Sequence, residues 1–191
     1  MQQAWIACKA LLFFTLLLGF AYPLAITGMA QLLFPKQANG SLLAAKEKVV
    51  GAYYIGQQFT SDKYFWGRPS TSNYQTLPSQ GSNLSLDSSK LFQAVAERRQ
   101  RLLKAHALPE DTPLPADLLF SSASGLDPHI SKEAALLQVA RIAAKRNLPS
   151  QKLTQLIENH IDEKIGKIFQ KRYVNVLQLN LALDTFEENK S

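Results

Sequence analysis

Between Lys9 and Lys36 the chain carries no charged residue, and the 26 intervening positions, Ala10 to Pro35, are dominated by Leu, Phe, Ala and Ile. A helix over Ala10–Phe34 would be roughly 37 Å long at ~1.5 Å rise per residue. That exceeds the ~30 Å hydrocarbon core of a bilayer, so the segment spans with some tilt. Pro23 sits mid-span; such a proline breaks a soluble helix but is tolerated in lipid as a kink. Trp5 and Tyr22 are aromatic, but Tyr22 lies too deep to anchor at an interface. The competing reading is a signal sequence cleaved near Gly28 and Ala30. The run is longer than the ~7–15-residue apolar region of such signals, which favours an uncleaved anchor. The next longest apolar stretch, Tyr173–Leu183, is interrupted by Asn175, Gln178 and Asn180. One span therefore carries a soluble part of about 155 residues, the size of one ordinary domain.

Small residues within the span, Gly19, Ala21, Ala25, Gly28 and Ala30, permit close approach of another helix, and Gly19, Pro23 and Gly28 are the candidate packing positions. Lys9 and the terminal amine precede the span, whereas Lys36, Lys46 and Lys48 come after it, with Glu47 among them. That count defines no clear inside face. At 191 residues the chain is too short for a multi-pass transporter or an ATPase with separate motor domains. A hydrophobic content of 46% excludes disorder, and the single cysteine, Cys8, excludes a disulfide scaffold.

The expected organisation is a tail at 1–9, the span at 10–34, a connector at 35–48, a soluble α+β domain at 49–184 and a tail at 185–191. Asn39-Gly40-Ser41 marks a turn in the connector, and Val49–Ile55 reads as a short strand. Gly56–Asp87 has no clear period and exceeds the usual loop length. It holds Phe59, Tyr64, Phe65, Trp66 and Tyr74, which predicts an ordered, packed segment. Asp87 or Ser88 caps a helix to about Ala107, with Leu91, Phe92, Val95, Leu102 and Leu103 inward and Glu97, Arg98, Arg99 and Arg101 outward. Asp117–Ser122 is a candidate strand. Ser131 caps a helix to about Arg146 with Leu136, Val139, Ile142 and Ala143 inward, and Asn147-Leu148-Pro149 stops it. Ser150 opens a third helix with Leu153, Leu156, Ile157 and Ile161 on one face. Val174–Leu183 fits both a strand and a helix: Leu177, Leu179, Leu181 and Leu183 alternate, while Val176, Leu179, Asn180 and Leu183 form a stripe.

Most catalytic and cofactor chemistries lack their residues. There is no phosphate-binding loop and no HExxH, and His106, His129 and His160 are scattered. Ser122-Ala123-Ser124-Gly125 lacks the first glycine of a GxSxG elbow. Asp127 and His129 stand nearby and, two apart on an extended segment, point the same way. Both suit capping or orienting the following helix, and Asp127-Pro128 is a turn opener. Arg68, between Tyr64-Phe65-Trp66-Gly67 and Pro69, suits stacking, bidentate contacts or stapling of the loop. Asn175 and Asn180 lie in apolar context, and buried amides need partners, which the long loop's backbone can supply. Ser82 and Asn83 read as turn residues. The net charge is +6, with basic clusters at Arg98, Arg99, Arg101 and Lys104 and at Lys164, Lys167, Lys171 and Arg172. Their spacing fits solvated helix faces, with attraction to anionic lipid rather than nucleic acid.

Taken together, several blocks resemble one family. In order they are Gly19-Phe20-Ala21-Tyr22-Pro23-Leu24, Gln37-Ala38-Asn39-Gly40-Ser41, Gly56-Gln57-Gln58-Phe59 and Tyr64-Phe65-Trp66-Gly67-Arg68-Pro69-Ser70. Gly81-Ser82-Asn83-Leu84, the run from Ser122 to Ser131, Gln138-Val139-Ala140-Arg141-Ile142-Ala143 and the run from Val174 to Asp184 complete the set. This pattern, from about residue 17 to 184, is similar to KdpC, the small subunit of the bacterial Kdp potassium-transporting P-type ATPase.

The resemblance implies one inner-membrane span, a cytoplasmic N-terminus and an extracytoplasmic (periplasmic) α+β domain. It implies two partners, a channel-like subunit that carries potassium and a P-type subunit that hydrolyses ATP. It also implies a role in assembly and as a catalytic chaperone that raises the ATP affinity of the P-type subunit. No potassium filter, P-loop or DKTGT signature occurs in this chain, and a single helix cannot enclose an ion path. The loop that the family's nucleotide role would place on this chain is Leu77-Pro78-Ser79-Gln80-Gly81, which departs from LSGGQ in order and glycine count. A domain outside the cell does not meet cytoplasmic ATP, so no cofactor, metal or catalytic residue is assigned to this chain. Gln57, Arg68, Ser82, Asn83, Ser124, Asp127, His129, Asn175 and Asn180 are the candidate partner- or ligand-contact residues. The alternatives are a membrane-anchored extracytoplasmic hydrolase using Ser124, Asp127 and His129, and an independent solute-binding module.

Overall fold

A computed structural model describes residues 1–162 and 172–188, and Lys164, Lys167 and Lys171 lie outside the described residues. The chain divides into two compact units, Met1–Leu43 and Ala44–Ser191.

The first unit is led by one apolar helical rod, Gln2–Leu33, with a mean hydropathy of 2.0 over its most apolar window and no side chain of that window buried. It starts at Gln2 rather than Ala10, because nothing before Lys9 breaks a helix. Pro23 acts on the turn before it. Helix α1, Gln2–Leu16, passes into a π turn, Leu17–Ala21, and then into α2, Tyr22–Leu33. Pro23 offers no N–H to the carbonyl four residues earlier, and its ring crowds that turn. The wider turn, in which the Tyr22 N–H reaches the Leu17 carbonyl, makes room for the ring. Phe34, forced out of the helical region by the adjoining Pro35, ends α2 with φ −136°. A short helix α3, Pro35–Ala38, is closed by Asn39, whose Nδ2 donates to the Pro35 carbonyl at 2.7 Å. The expected turn comes next, at Gly40, φ +82°.

Strands β1, Leu42–Ala45, and β2, Lys48–Ala52, form a two-stranded sheet. Lys46 and Glu47 between them both have positive φ, the signature of a tight two-residue hairpin. No helix or strand intervenes before α4, Ser89–His106. On α4, Leu102 and Leu103 are buried as expected, but Phe92 is exposed, and Arg98 is turned to the Leu119 carbonyl at 2.8 Å instead of to solvent.

The segment expected as a strand at Asp117–Ser122 is instead a single helical turn, α5, Ala116–Leu119. Adjacent Leu118 and Leu119 are both buried, which a strand's alternation forbids. The Asp117 carboxylate locks the turn by accepting from the Ser131 N–H at 2.6 Å and the Ser131 hydroxyl at 3.2 Å. Strand β3, His129–Ser131, pairs antiparallel with β4, Tyr173–Asn175, with Ile130 opposite Val174.

The helix expected from Ser131 to Arg146 is two helices, α6, Lys132–Leu137, and α7, Val139–Arg146. Ser131 caps the first, accepting from the Ala134 N–H at 3.1 Å. Gln138 causes the break. Its side-chain Nε2 takes the Ala134 carbonyl at 3.2 Å, the acceptor its own backbone N–H would use, and that N–H moves to the Ala135 carbonyl. Asn147, with φ +52°, ends α7. Helix α8, Ser150–Asn159, buries Leu153 and Ile157. Ile161 leaves that face to bridge Val174. The ambiguous stretch is both things in turn: β4 ends at Asn175 and α9, Val176–Glu188, begins at the next residue. The second unit is thus α+β, with its core around Phe65, Ile130, Ile142, Ile157, Leu179 and Leu183, all 0% exposed.

Candidate functional site

The irregular segment 53–88 is held by side chains where a strand would be held by backbone. Phe65 is fully buried and Trp66 nearly so, and buried backbone polar groups must find partners. Asn180 of α9 supplies both for Phe65: its Oδ1 accepts the Phe65 N–H at 2.9 Å and its Nδ2 donates to the Phe65 carbonyl at 3.0 Å. Gln138 does the same for Trp66, at 2.8 Å and 3.1 Å. Arg141, one turn after Gln138, donates to the carbonyls of Asp62 and Tyr64 and to Gln138 Oε1, and its guanidinium stacks 4.1 Å from the Trp66 ring. Burial pulls the Arg141 pKa down to about 10, which leaves it charged at neutral pH. Arg146 adds a bond to the Lys63 carbonyl and pairs with Asp184 at 2.7 Å. Asn175 closes the segment's start: its Nδ2 donates to the Tyr53 carbonyl at 2.7 Å, and its Oδ1 caps α9 through the Gln178 N–H. Gln57 folds back on β2, donating to the Val50 carbonyl at 2.9 Å.

A second layer joins blocks far apart in the chain. The Gly56 N–H donates to the Leu126 carbonyl at 2.7 Å. A Cβ on Gly56 would lie 2.8 Å from the Asp127 carbonyl oxygen, so only glycine fits this crossing. Gly125, at φ +70°, faces the Gln80 carbonyl with the same 2.8 Å clearance. Ser79 Oγ donates to the Ser124 carbonyl at 2.8 Å. Arg68 bridges the layers, with Nη1 2.9 Å from Asp127 Oδ2 and Nη2 3.4 Å from the Phe120 carbonyl. Asp127 also accepts the His129 N–H at 2.9 Å, with His129 Nδ1 3.6 Å away. Burial would raise the Asp127 pKa, but the bonds from His129 and Arg68 outweigh it and hold the carboxyl below its usual range.

The nine candidate residues therefore separate. Gln57, Arg68, Asp127, His129, Asn175 and Asn180 join in stapling loops. Ser82 and Asn83 stand apart, Asn83 exposed on an irregular stretch with φ +50°. Ser124 is exposed, its Oγ accepts the Leu126 N–H at 3.1 Å, and no hydrogen bond joins it to His129 among the described residues. The Ser124, Asp127 and His129 constellation is not assembled as a nucleophile with its base, which requires contact within hydrogen-bond reach. No group of three or more His, Cys, Asp or Glu suited to a metal occurs among the described residues. In the rod, a Cβ added to Gly19 or Gly28 would meet nothing within 4 Å, so their smallness is not used inside the chain.

Gln138, Arg141, Asp117 and His106 hold this framework, yet the sequence patterns alone assign them no role. The available signal was polar residues at i and i+3, Gln138 and Arg141, inside the apolar stripe of α7. His106 is buried on α4, with its Nδ1 accepting from Arg141 Nε at 3.3 Å.

A family model described as "KdpC: K+-transporting ATPase, c chain" matches residues 4–185. The chain belongs to the KdpC family. It is 48% identical over 180 residues to the Potassium-transporting ATPase KdpC subunit of Serratia proteamaculans, covering 93% of this chain and 95% of that one. The KdpC subunit of Mycobacterium bovis is 48% identical over 185 residues, covering 96% and 98%. That of Yersinia enterocolitica is 46% identical over 182 residues, covering 93% and 90%. The likeness thus includes both the apolar rod and the stapled α+β unit of this KdpC-family chain.

Two measurements test the framework. Asn180→Leu keeps the heavy-atom count and branching but strips the Phe65 N–H and carbonyl of partners, at a cost of about 2–5 kcal/mol in chemical denaturation of the full chain in detergent. Ser82→Ala, whose hydroxyl has no partner among the described residues, stays within about 0.5 kcal/mol. Equal effects would contradict the stapling. Second, burial, aided by the Arg141 charge and opposed by Asp62, holds the His106 pKa at about 4, against an ordinary histidine value of 6.5. Between these values the unfolded chain takes up a proton that the folded chain refuses, so stability falls as pH drops through the window and levels off below it. Denaturation midpoints measured across that window fall less steeply with acid for His106→Gln than for the wild type; parallel slopes would refute the assignment.

Proposed function

We propose that this chain is the non-catalytic accessory subunit of a high-affinity, ATP-driven potassium uptake complex, anchored in the inner membrane by its N-terminal helix. The observation that carries the reading is the match over residues 4–185 to a family described as the c chain of a K+-transporting ATPase. In this reading the rod is the single span, with the N-terminus cytoplasmic and the α+β unit on the periplasmic side. A channel-like subunit carries potassium and a P-type subunit hydrolyses ATP; one helix cannot enclose an ion path, so transport and catalysis lie in those partners.

The division of the candidate residues supports a structural role. Gln57, Arg68, Asp127, His129, Asn175 and Asn180 make hydrogen bonds to the chain's own residues, which builds a rigid surface. Ser82, Asn83 and Ser124 belong to exposed loops and are the residues of the set placed for partner contact. Gly19 and Gly28 leave open space on the rod, and Ala21, Ala25 and Gly28 recur at helical spacing, so a partner helix can approach closely. The periplasmic unit caps the channel-like subunit while the span braces the membrane bundle. By favouring one conformation of the complex, such a cap raises the ATP affinity of the P-type subunit at a distance, as coupling between separate sites allows, with no nucleotide on this chain.

The test is co-expression with the channel-like and P-type subunits, then purification through a tag on this chain from detergent-solubilised membranes. All three proteins are expected together, with recovery of the partners reduced several-fold by Gly28→Leu. Isolation of this chain alone from membranes that contain both partners would overturn the reading. Undiminished recovery with Gly28→Leu would remove the bracing role of the span.

A further inference from the structure

Helix α4 and the 58–74 part of the irregular segment bound a cleft of about 220 Å³. Its walls contain three arginines, Arg68, Arg98 and Arg101, and no carboxylate. Of the three, only Arg68 has an acidic partner among the described residues, Asp127. Arg98 is half-buried, held in place by one bond to the Leu119 carbonyl. Arg101 lies over the Trp66 ring at 5.1 Å. Neither pairs with a carboxylate among the described residues. Arg68 Nε is shielded from water and has no hydrogen-bond partner among them.

Like charges gathered in one cleft repel, and a guanidinium withdrawn from water without a counter-ion is costly. Trp66 and Phe59, also in the walls, lower the local dielectric and concentrate the positive field. Thr60 adds a hydroxyl to the walls, while that of Ser70 is engaged with the Tyr74 N–H and Ser72 Oγ. Guanidinium forks match the oxygens of phosphate in spacing and charge. The volume falls below the ~300–1,000 Å³ of ordinary small-molecule sites, so it suits one oxyanion group and not a larger ligand.

We propose that this cleft is a binding site for a single phosphate-type oxyanion, with Arg98 and Arg101 supplying the charge. The site stands independently of the complex described above. Free inorganic phosphate and a phospholipid headgroup share the chemistry.

The probe is inorganic phosphate, titrated calorimetrically into the full chain in dodecyl maltoside micelles, which carry no phosphate, at ~0.15 M salt, where diffuse surface potentials are screened. One saturable site per chain is expected, weakened at least about tenfold by Arg101→Gln and by Arg98→Gln. Lys104→Gln removes an exposed charge from the same helix outside the cleft and leaves the affinity unchanged. Arg101 is exposed, so its variant carries the test if far-ultraviolet circular dichroism shows that Arg98→Gln does not fold. Addition of phosphatidylglycerol to the micelles separates the sources. Suppressed phosphate binding there supports the site and assigns it to a headgroup; unchanged binding supports it and assigns it to the free ion. Lack of saturable binding in the maltoside alone, or equal losses for Lys104→Gln and Arg101→Gln, would overturn the proposal.

Discussion

Two side-chain amides make it possible for an irregular segment to run through the core of the α+β unit. Asn180 and Gln138, 2% and 0% exposed, each give and accept a hydrogen bond with the backbone of one residue, Phe65 and Trp66. A buried peptide group left without partners costs more than the burial of most side chains returns. Without these amides Phe65 and Trp66 would have to leave the core or enter a sheet. Arg141 and Arg146 extend the same device to the carbonyls of Asp62, Lys63 and Tyr64. Helices α7 and α9 thereby act on this segment as neighbouring strands would.

Fixing Tyr64–Trp66 also places the residues beyond it. Arg68 is delivered to Asp127, and the Gly56 and Gly125 crossings bring the Ser122–His129 loop onto the same surface. Polar residues that look reactive in one dimension are turned to architecture in three. A KdpC-family chain built this way combines a stiff, irregular surface with a membrane-length apolar rod. The cleft beside Arg98 and Arg101 is the exception, because neither of these arginines forms an ion pair among the described residues.

The legible parts of the sequence are those with local signals. The apolar rod needed only its uncharged length. Helices α4, α7 and α8 announced themselves through period and stop signals, such as Asn147 before Leu148-Pro149. Asn175 and Asn180 were readable as buried amides seeking the long loop's backbone, since an amide in an apolar run has few other uses. The misreadings arose where a distant residue decides. Asp117–Ser122 curls because Asp117 reaches Ser131. The Ser131–Arg146 helix breaks because the Gln138 side chain takes a carbonyl of its own helix while reaching for Trp66. Val174–Leu183 carried two periods because a strand and a helix meet there without a linker, at a residue, Asn175, that serves both. The pairing of Gly56 with Leu126, and of Arg68 with Asp127, spans separations that no local pattern encodes.

If side chains substitute for a strand partner along Phe65 and Trp66, amide hydrogen exchange at those two residues tests it most directly. Both N–H groups are predicted to exchange as slowly as the Ile142 amide of α7, only when the whole unit opens. Exchange as fast as at exposed Thr76 and Ser79 would contradict it.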